Sequence, residues 1–231
     1  MNAQVEDQIN TRTKTLEYQS WLKENVASIS ENISQLSSSK ELAEYVLTCL
    51  AEALKAHCAV FYIHEKVLEN DAMFELSLLA AYGYKKRKNI NTKIQLDDGL
   101  LGQCAKEKKA IIMTDVPKDY ISINSGLGEE TPKNIYLMPV LFNDIVLAVI
   151  EIASFSYFKP MQIDFLEQIS KTIGINLYNI YNVEASKKAL QRSKELSEEL
   201  LAQQEELRAS NEELEEKTKI LVESEGELKT Q

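Results

Sequence analysis

The chain has 231 residues, 44% of them hydrophobic and 27% charged, with a formal net charge of −10 at pH 7. That acidity leaves nothing to neutralise phosphates, which excludes direct nucleic-acid binding as a main activity. No apolar run approaches the roughly 18–20 residues that a membrane span requires, and MNAQVEDQIN at the N-terminus shows no basic-then-apolar secretory pattern.

The first segment reads as helix. Leu22, Val26, Ile29, Ile33 and Leu36 step by four, three, four and three, a 3.5-residue period that fits a helix pairing with its own copy or lying along another long helix. Leu22, Val26, Ile29 and Ile33 are therefore expected at a dimer interface. SQLSSSK (34–40) interrupts the pattern, and Ser39 is placed to cap a second helix running to about Ala56.

Alternation then replaces the helical period. CAVFYIHEKV (58–67) and MFELSLLAAYGY (73–84) read as a hairpin about an Asn70-Asp71 turn. AIIMTDV (110–116), IYLMPVLF (135–142) and IVLAVIEIASF (145–155) supply further strands, the last two joined by Asn143-Asp144. The run IVLAVIEIA (145–153) contains Glu151 and is expected to be a buried strand rather than a span. A short Asp-capped helix over 96–109 and a loop over 118–134 lie between these strands. Helices outside and hairpin-linked strands inside predict an α+β fold with a mainly antiparallel sheet. The three cysteines, Cys49, Cys58 and Cys104, stand at no metal-like spacing and read as buried, reduced thiols of a cytosolic protein.

From Pro160 the pattern is helical to the end, with Ile163, Phe165, Leu166, Ile169, Ile173, Leu177 and Ile180 at helical spacing. Glu-Glu-Leu recurs at 198–200, 205–207 and 212–214, and Leu221 and Leu228 continue the seven-residue beat. With Leu200, Leu207, Leu214, Leu221 and Leu228 at heptad position d, Ser197, Gln204, Asn211, Thr218 and Glu225 fall at a. A buried Asn at a is best satisfied opposite its own copy, so a parallel, in-register and marginally stable two-stranded coil is expected. Ser186 and Ser193 occupy the d positions upstream, a break in phase where such a coil can shift register or rotate.

GLLGQCAKEKKAIIMTDVP (99–117) resembles the G-x-x-G helix, strand and Asp signature of GAF domains. The stretch 115–155, followed by a helix with FLEQI, is similar to the GAF domain of bacterial hybrid sensor histidine kinases. RTKTLE (12–17) resembles the end of a HAMP linker, and QQEELRASNEELEEKT (203–218) resembles the signalling helix that leads toward their kinase core. Ala110 and Ala148 depart from the proline and glycine frequent at the matching positions. The resemblance implies an N-terminal linker and dimerisation helix (1–38), a GAF domain (39–170) and a signalling helix (171–231). It implies a homodimeric cytoplasmic portion of a membrane-anchored receptor, with HAMP and membrane input and histidine kinase output supplied by chain outside this sequence. No phosphoacceptor motif, nucleotide box or receiver aspartate is seen, so no enzymatic activity is expected of the chain itself.

GAF relatives hold ligands between the sheet and the loops matching 85–134. The cyclic-nucleotide motif is missing, and Cys104 is followed by Ala105 rather than by the histidine common at bilin sites. His57 and His64 flank a strand and make poor haem or metal ligands, and Cys104 alone is a thin basis for a GAF-fold redox enzyme. What remains is a noncovalent ligand, with no cofactor or metal predicted. Tyr120, Ser122, Asn124, Ser125 and Tyr136 would supply polar groups, with Met113, Met138 and Cys104 in the wall. The competing expectation is a filled core in a constitutive dimerisation spacer.

Overall fold

In a computed structural model of the chain, residues 2–64, 67, 73–83, 93–117, 121, 123–125 and 128–228 are described, with side chains for these except 2–7, 10–11, 124–125, 128–129 and 221–228. The chain divides into two compact units, Met1–Tyr181 and Asn182–Gln231.

The first unit opens with α1 (Asn2–Ile33) and α2 (Ser39–Leu54). α2 buries Leu42, Ala43, Val46, Leu47, Leu50, Ala51 and Leu54, a three-and-four stripe along one face. It ends where Lys55 takes a left-handed conformation (φ 53°) and its N–H returns to the carbonyls of Ala51 and Glu52. The expected Ser39 cap is displaced by one residue. Ser38 holds the extended N-cap backbone without a side-chain cap hydrogen bond, and Ser39 is already helical.

The strands β1 (Cys58–Ile63), β2 (Leu76–Tyr82), β3 (Lys93–Ile94), β4 (Ile111–Thr114), β7 (Asn134–Phe142) and β8 (Ile145–Ser154) form one antiparallel sheet in the order β3-β2-β1-β8-β7-β4. The expected β1–β2 pairing is present, although residues 70–71 of its turn lie outside the described residues. The Asn143-Asp144 turn is tight because both residues accept positive φ, 45° and 66°, which matches the right-handed twist of the strands it joins. Two features were not anticipated. β3 is a two-residue edge strand, and β5 (Ile123–Ser125) pairs with β6 (Gly128–Glu130) inside the stretch expected to be loop. The short helix α3 (Gly99–Glu107) follows Asp98 as predicted, but the Asp98 side chain makes no cap hydrogen bond and instead accepts from the Gln95 N–H at 2.9 Å.

α4 runs from Pro160 to Leu228. Within the first unit it buries Phe165, Leu166, Ile169, Ile173, Leu177 and Ile180 against the sheet, beside α1 and α2. Trp21 meets Phe165 edge-on at 5.4 Å, and the Tyr18 hydroxyl donates to the Asp164 carboxylate, tying α1 to α4. This arrangement corrects the expectation that α1 reserves its apolar step for a second copy. Ile29 and Ile33 are only 5% and 0% exposed, and Leu22 and Val26 pack partly on the same core. A side chain already enclosed by its own domain has almost no surface left to give a partner. In the second unit, every side chain from 185 to 220 is exposed.

Gly174 fixes how closely α4 approaches the sheet. A Cβ there would lie 2.1 Å from the Leu141 carbonyl oxygen, a backbone atom that cannot rotate away. Gly174→Ala is therefore expected to lower stability by about 3 kcal/mol, despite the ~1 kcal/mol gained in helix propensity. Thermal unfolding checks this, with Ser186→Ala on the exposed part of α4 as a control that should be neutral or slightly stabilising.

Candidate functional site

The sheet separates two apolar layers. On one face α1, α2 and α4 close over Phe61, Ile63, Tyr136, Met138, Val140, Leu147, Ile150 and Ile152. On the other, α3 and the β4 side of the sheet meet Val60, Tyr62, Leu76, Ile135, Leu137, Val149 and Ala153. Several side chains of this second layer, among them Leu78, Leu101, Ile111, Met113 and Ile123, are only partly buried.

This arrangement splits the expected ligand-binding set. Cys104 and Met113 lie on the α3 face, whereas Tyr136 and Met138 point to the helical face and cannot share a cavity with them. The reason is strand alternation: Met113 pairs with Ile135, so the side chains of Tyr136 and Met138, one and three residues on, have changed sides relative to it or belong to the opposite set. Tyr120 and Ser122 lie outside the described residues. Asn124 and Ser125 are placed in β5 by backbone alone.

The α3 face carries an ionisable residue that the expected set omitted. Glu151 stands on β8 directly between Val60 of β1 and Leu137 of β7, both of which belong to the α3-side layer. Its carboxyl is hemmed in by protein, while the residue as a whole is half-buried. Burial pushes its pKa up to about 7. It has no hydrogen-bond or ion-pair partner among the described residues. The sequence did carry a signal: an acid in the middle of a strand read as buried needs an explanation of its own.

The cysteines on this face are poorly suited to nucleophilic work. Burial pushes the Cys58 thiol up to about 11 and the Cys104 thiol up to about 12. The Cys104 thiol donates to the Lys109 carbonyl at 3.3 Å. His64, just beyond β1, is packed against Phe74 at 4.6 Å, and burial lowers its pKa, so it remains neutral.

On the helical face, Tyr136 and Met138 line a cleft of about 230 Å³ with Glu167 and Lys171 of α4 and Lys108 after α3. The Tyr136 hydroxyl is buried without a hydrogen-bond partner among the described residues, and burial, reinforced by the Glu167 carboxylate, pushes its pKa up to about 12.

A family model described as GAF domain matches residues 37–177. The chain belongs to the GAF domain family. No curated protein sequence matches it significantly. Solved structures agree on the fold. The GAF domain of a phosphoenolpyruvate-protein phosphotransferase from Coxiella burnetii is 16% identical, with a TM-score of 0.57 over 71% of this chain and 96% of that one. Free methionine-R-sulfoxide reductase from Neisseria meningitidis, in complex with its substrate, is 18% identical with a TM-score of 0.54, covering 73% and 91%. A methyl-accepting chemotaxis protein, residues 122 to 287, is 16% identical with a TM-score of 0.52, covering 68% and 99%. At these identities the likeness establishes the GAF fold, which is shared by signalling proteins and enzymes alike. Among the described residues no helix is long and apolar enough to cross a membrane.

Two stability measurements follow from this GAF domain. The Glu151 carboxyl is raised above its ordinary value, so between about pH 4.5 and 7 the folded protein holds a proton that the unfolded chain releases. That contribution is fully present below this window and is lost as the pH rises through it, by on the order of 3 kcal/mol. Glu151→Gln should flatten this part of the profile, so that the variant gains on the wild type in Tm between pH 5 and pH 8. Tyr136→Phe removes a buried hydroxyl that has no partner, and is expected to raise stability by ~1 kcal/mol, read as an increase in Tm.

Proposed function

We propose that this GAF domain is the sensory and signal-transmitting portion of a bacterial two-component sensor histidine kinase, acting in the cytoplasm. In this reading a parallel, dimeric coiled coil passes a conformational change to a kinase core outside the sequence, and a HAMP-type linker supplies input from the membrane side. The observation that carries it is the leucine beat of the second unit. Leu200, Leu207 and Leu214 are 58%, 65% and 58% exposed on the single chain. Each recovers roughly 1.5–3 kcal/mol when buried, and a matching leucine on a second copy is the simplest way to bury it.

The same heptad frame extends further upstream than the sequence pattern suggested. Val183 and Leu190 are also exposed and both fall at position a, while Ser186 and Ser193 fall at d. The frame thus persists across the apparent break, and the apolar layer changes from a to d between residues 190 and 200. A seam that is apolar at only one of its two layers is weak, and its changeover offers two packings of similar energy. The chemotaxis-protein neighbour supports a signalling setting. The reductase neighbours keep a redox reading in view, but the protonated, buried thiols of Cys58 and Cys104 favour the sensory one.

Sedimentation equilibrium at tens of micromolar should give a dimer. Leu207→Asp with Leu214→Asp should convert it to a monomer while the circular dichroism of the GAF domain persists. Asn211→Ile should raise the Tm of the dimer by several degrees, and Asn211→Cys should oxidise to an in-register interchain disulfide. A wild-type monomer, or an Asn211→Ile variant with unchanged melting, would sink the coiled-coil assignment.

A further inference from the structure

We propose that the cleft on the helical face, between β7 and α4, is a binding site for a small carboxylate carried on an apolar body, and that Lys108 and Lys171 select its charge. The cleft lies within the first unit, and its occupancy stands whether or not the sensory reading holds.

The cleft exists because the helical layer stops short of the sheet edge. Ile112 on the edge strand β4 is the register partner of Tyr136, faces the same way, and is 45% exposed. Tyr136 and Met138 of β7 are enclosed, but beside them a space of about 230 Å³ opens between Ala110 and α4. It belongs to the side of the sheet opposite Cys104 and Met113. A cavity of about 150 Å³ holds benzene, so this one admits a ring or a short alkyl chain together with one polar group. Ala110, Met138, Pro139 and Leu141 give it an apolar lining.

Three charged side chains stand at its margin. Lys108 comes from the end of α3, and Glu167 and Lys171 from successive turns of α4. Lys171 has no ion-pair partner among the described residues. Lys108 meets Asp144 at 2.5 Å, but that carboxylate is 81% exposed and does not line the cleft. Two cations therefore face one carboxylate across an apolar floor. An anion is attracted from both sides of the cleft, a cation from one side only. Leu141, in the lining, also supplies the carbonyl that meets Gly174, so a bound ligand lies against the contact that holds α4 on the sheet. In the heptad frame continued back along α4, Glu167, Ser170 and Lys171 fall at f, b and c, positions that a seam at a and d does not use.

The test uses the full chain at neutral pH and low ionic strength, with three probes of one shape: phenylacetate, 2-phenylethanol and 2-phenylethylammonium. Methionine methyl carbon-13 spectra report place as well as affinity, because Met138 lines the cleft and Met113 packs on the other face of the sheet. Phenylacetate should shift the Met138 methyl and leave that of Met113 unmoved. It should bind about five-fold more tightly than the alcohol, as one exposed ion pair at the upper end of its range would give, with the amine weakest. That preference should be lost in Lys171→Met, persist in Lys171→Arg, and shrink at about 0.5 M salt. Ala110→Trp, at an exposed position that lines the cleft, should fill it and abolish the Met138 shift with every probe. Equal or tighter binding of the alcohol or the amine, a preference that survives Lys171→Met, or a Met138 shift that survives Ala110→Trp would overturn the proposal. So would shifts at Met113 in place of Met138, or no binding of phenylacetate at about 10 mM. None of these readouts depends on the oligomeric state, so a failed carboxylate site and a failed coiled coil are told apart.

Discussion

The first unit is organised around the burial of α4 against its sheet. Phe165, Leu166, Ile169, Ile173, Leu177 and Ile180 form the stripe that covers the helical face, and without them Phe61, Tyr136, Ile150 and their neighbours would face water. Two close contacts fix the packing more tightly than apolar burial alone would. Gly174 lets the helix backbone meet the end of β7, and Phe142 stacks on Tyr178 at 4.0 Å just beyond it. The Tyr181 hydroxyl then donates to the carbonyl of His64 at 2.8 Å, at the last residue of the unit. Non-directional burial permits a helix to slide, whereas a backbone contact and a directed hydrogen bond specify one register. A displacement of β7 or β8 is therefore felt directly by residues 174–181.

The two faces of the sheet are not equivalent, and the difference is chemical. The helical face has core residues that are almost all fully enclosed, a cleft of about 230 Å³ beside Tyr136 and Glu167, and, among the described residues, an unpartnered Tyr136 hydroxyl. The α3 face has fewer enclosed residues, a larger share of partly exposed ones, and a lone acid at its centre. A hydroxyl without a partner costs about 1–3 kcal/mol, whereas a carboxylate can escape most of its penalty by taking up a proton. Glu151 therefore behaves as a group that is tolerated when neutral and costly when charged, and the neutral form is the one that low pH supplies.

Much of this was legible in the sequence, where periodicity and turn chemistry pointed the same way. α2 and the start of α4 carry unambiguous helical stripes, and Asn143-Asp144 names a tight hairpin because few other pairs accept positive φ twice. Elements too short to show a period were missed: β3 is two residues long, and β5 and β6 are three each. The α1 step was visible but ambiguous, since a 3.5-residue spacing serves a helix in its own domain as well as one in a dimer, and only the enclosure of Ile29 and Ile33 decides between them. The pocket set failed for a related reason. Alternation shows that Tyr136 and Met138 share a side of β7, but which side that is depends on the strands and helices around it. Glu151 was visible as an interruption in an apolar run, and its meaning required the register that sets it between Val60 and Leu137.

The magnitudes bear on how strong an input the proposed relay would need. A ligand shifts a two-state equilibrium only by its difference in affinity for the two states, and a ten-fold difference is worth about 1.4 kcal/mol. Against a seam with leucine at both a and d, such a bias would be lost in the burial energy of every layer. The second unit has instead an apolar residue at one of the two positions per heptad, Val183 and Leu190 at a, then Leu200, Leu207 and Leu214 at d. In the proposed coil, halving the apolar layers would bring alternative packings to within about a few kcal/mol of one another, a range that a modest input can tip. In the proposed dimer, a seam this weak is matched to a modest input, and strengthening the seam without the input would leave the proposed relay locked.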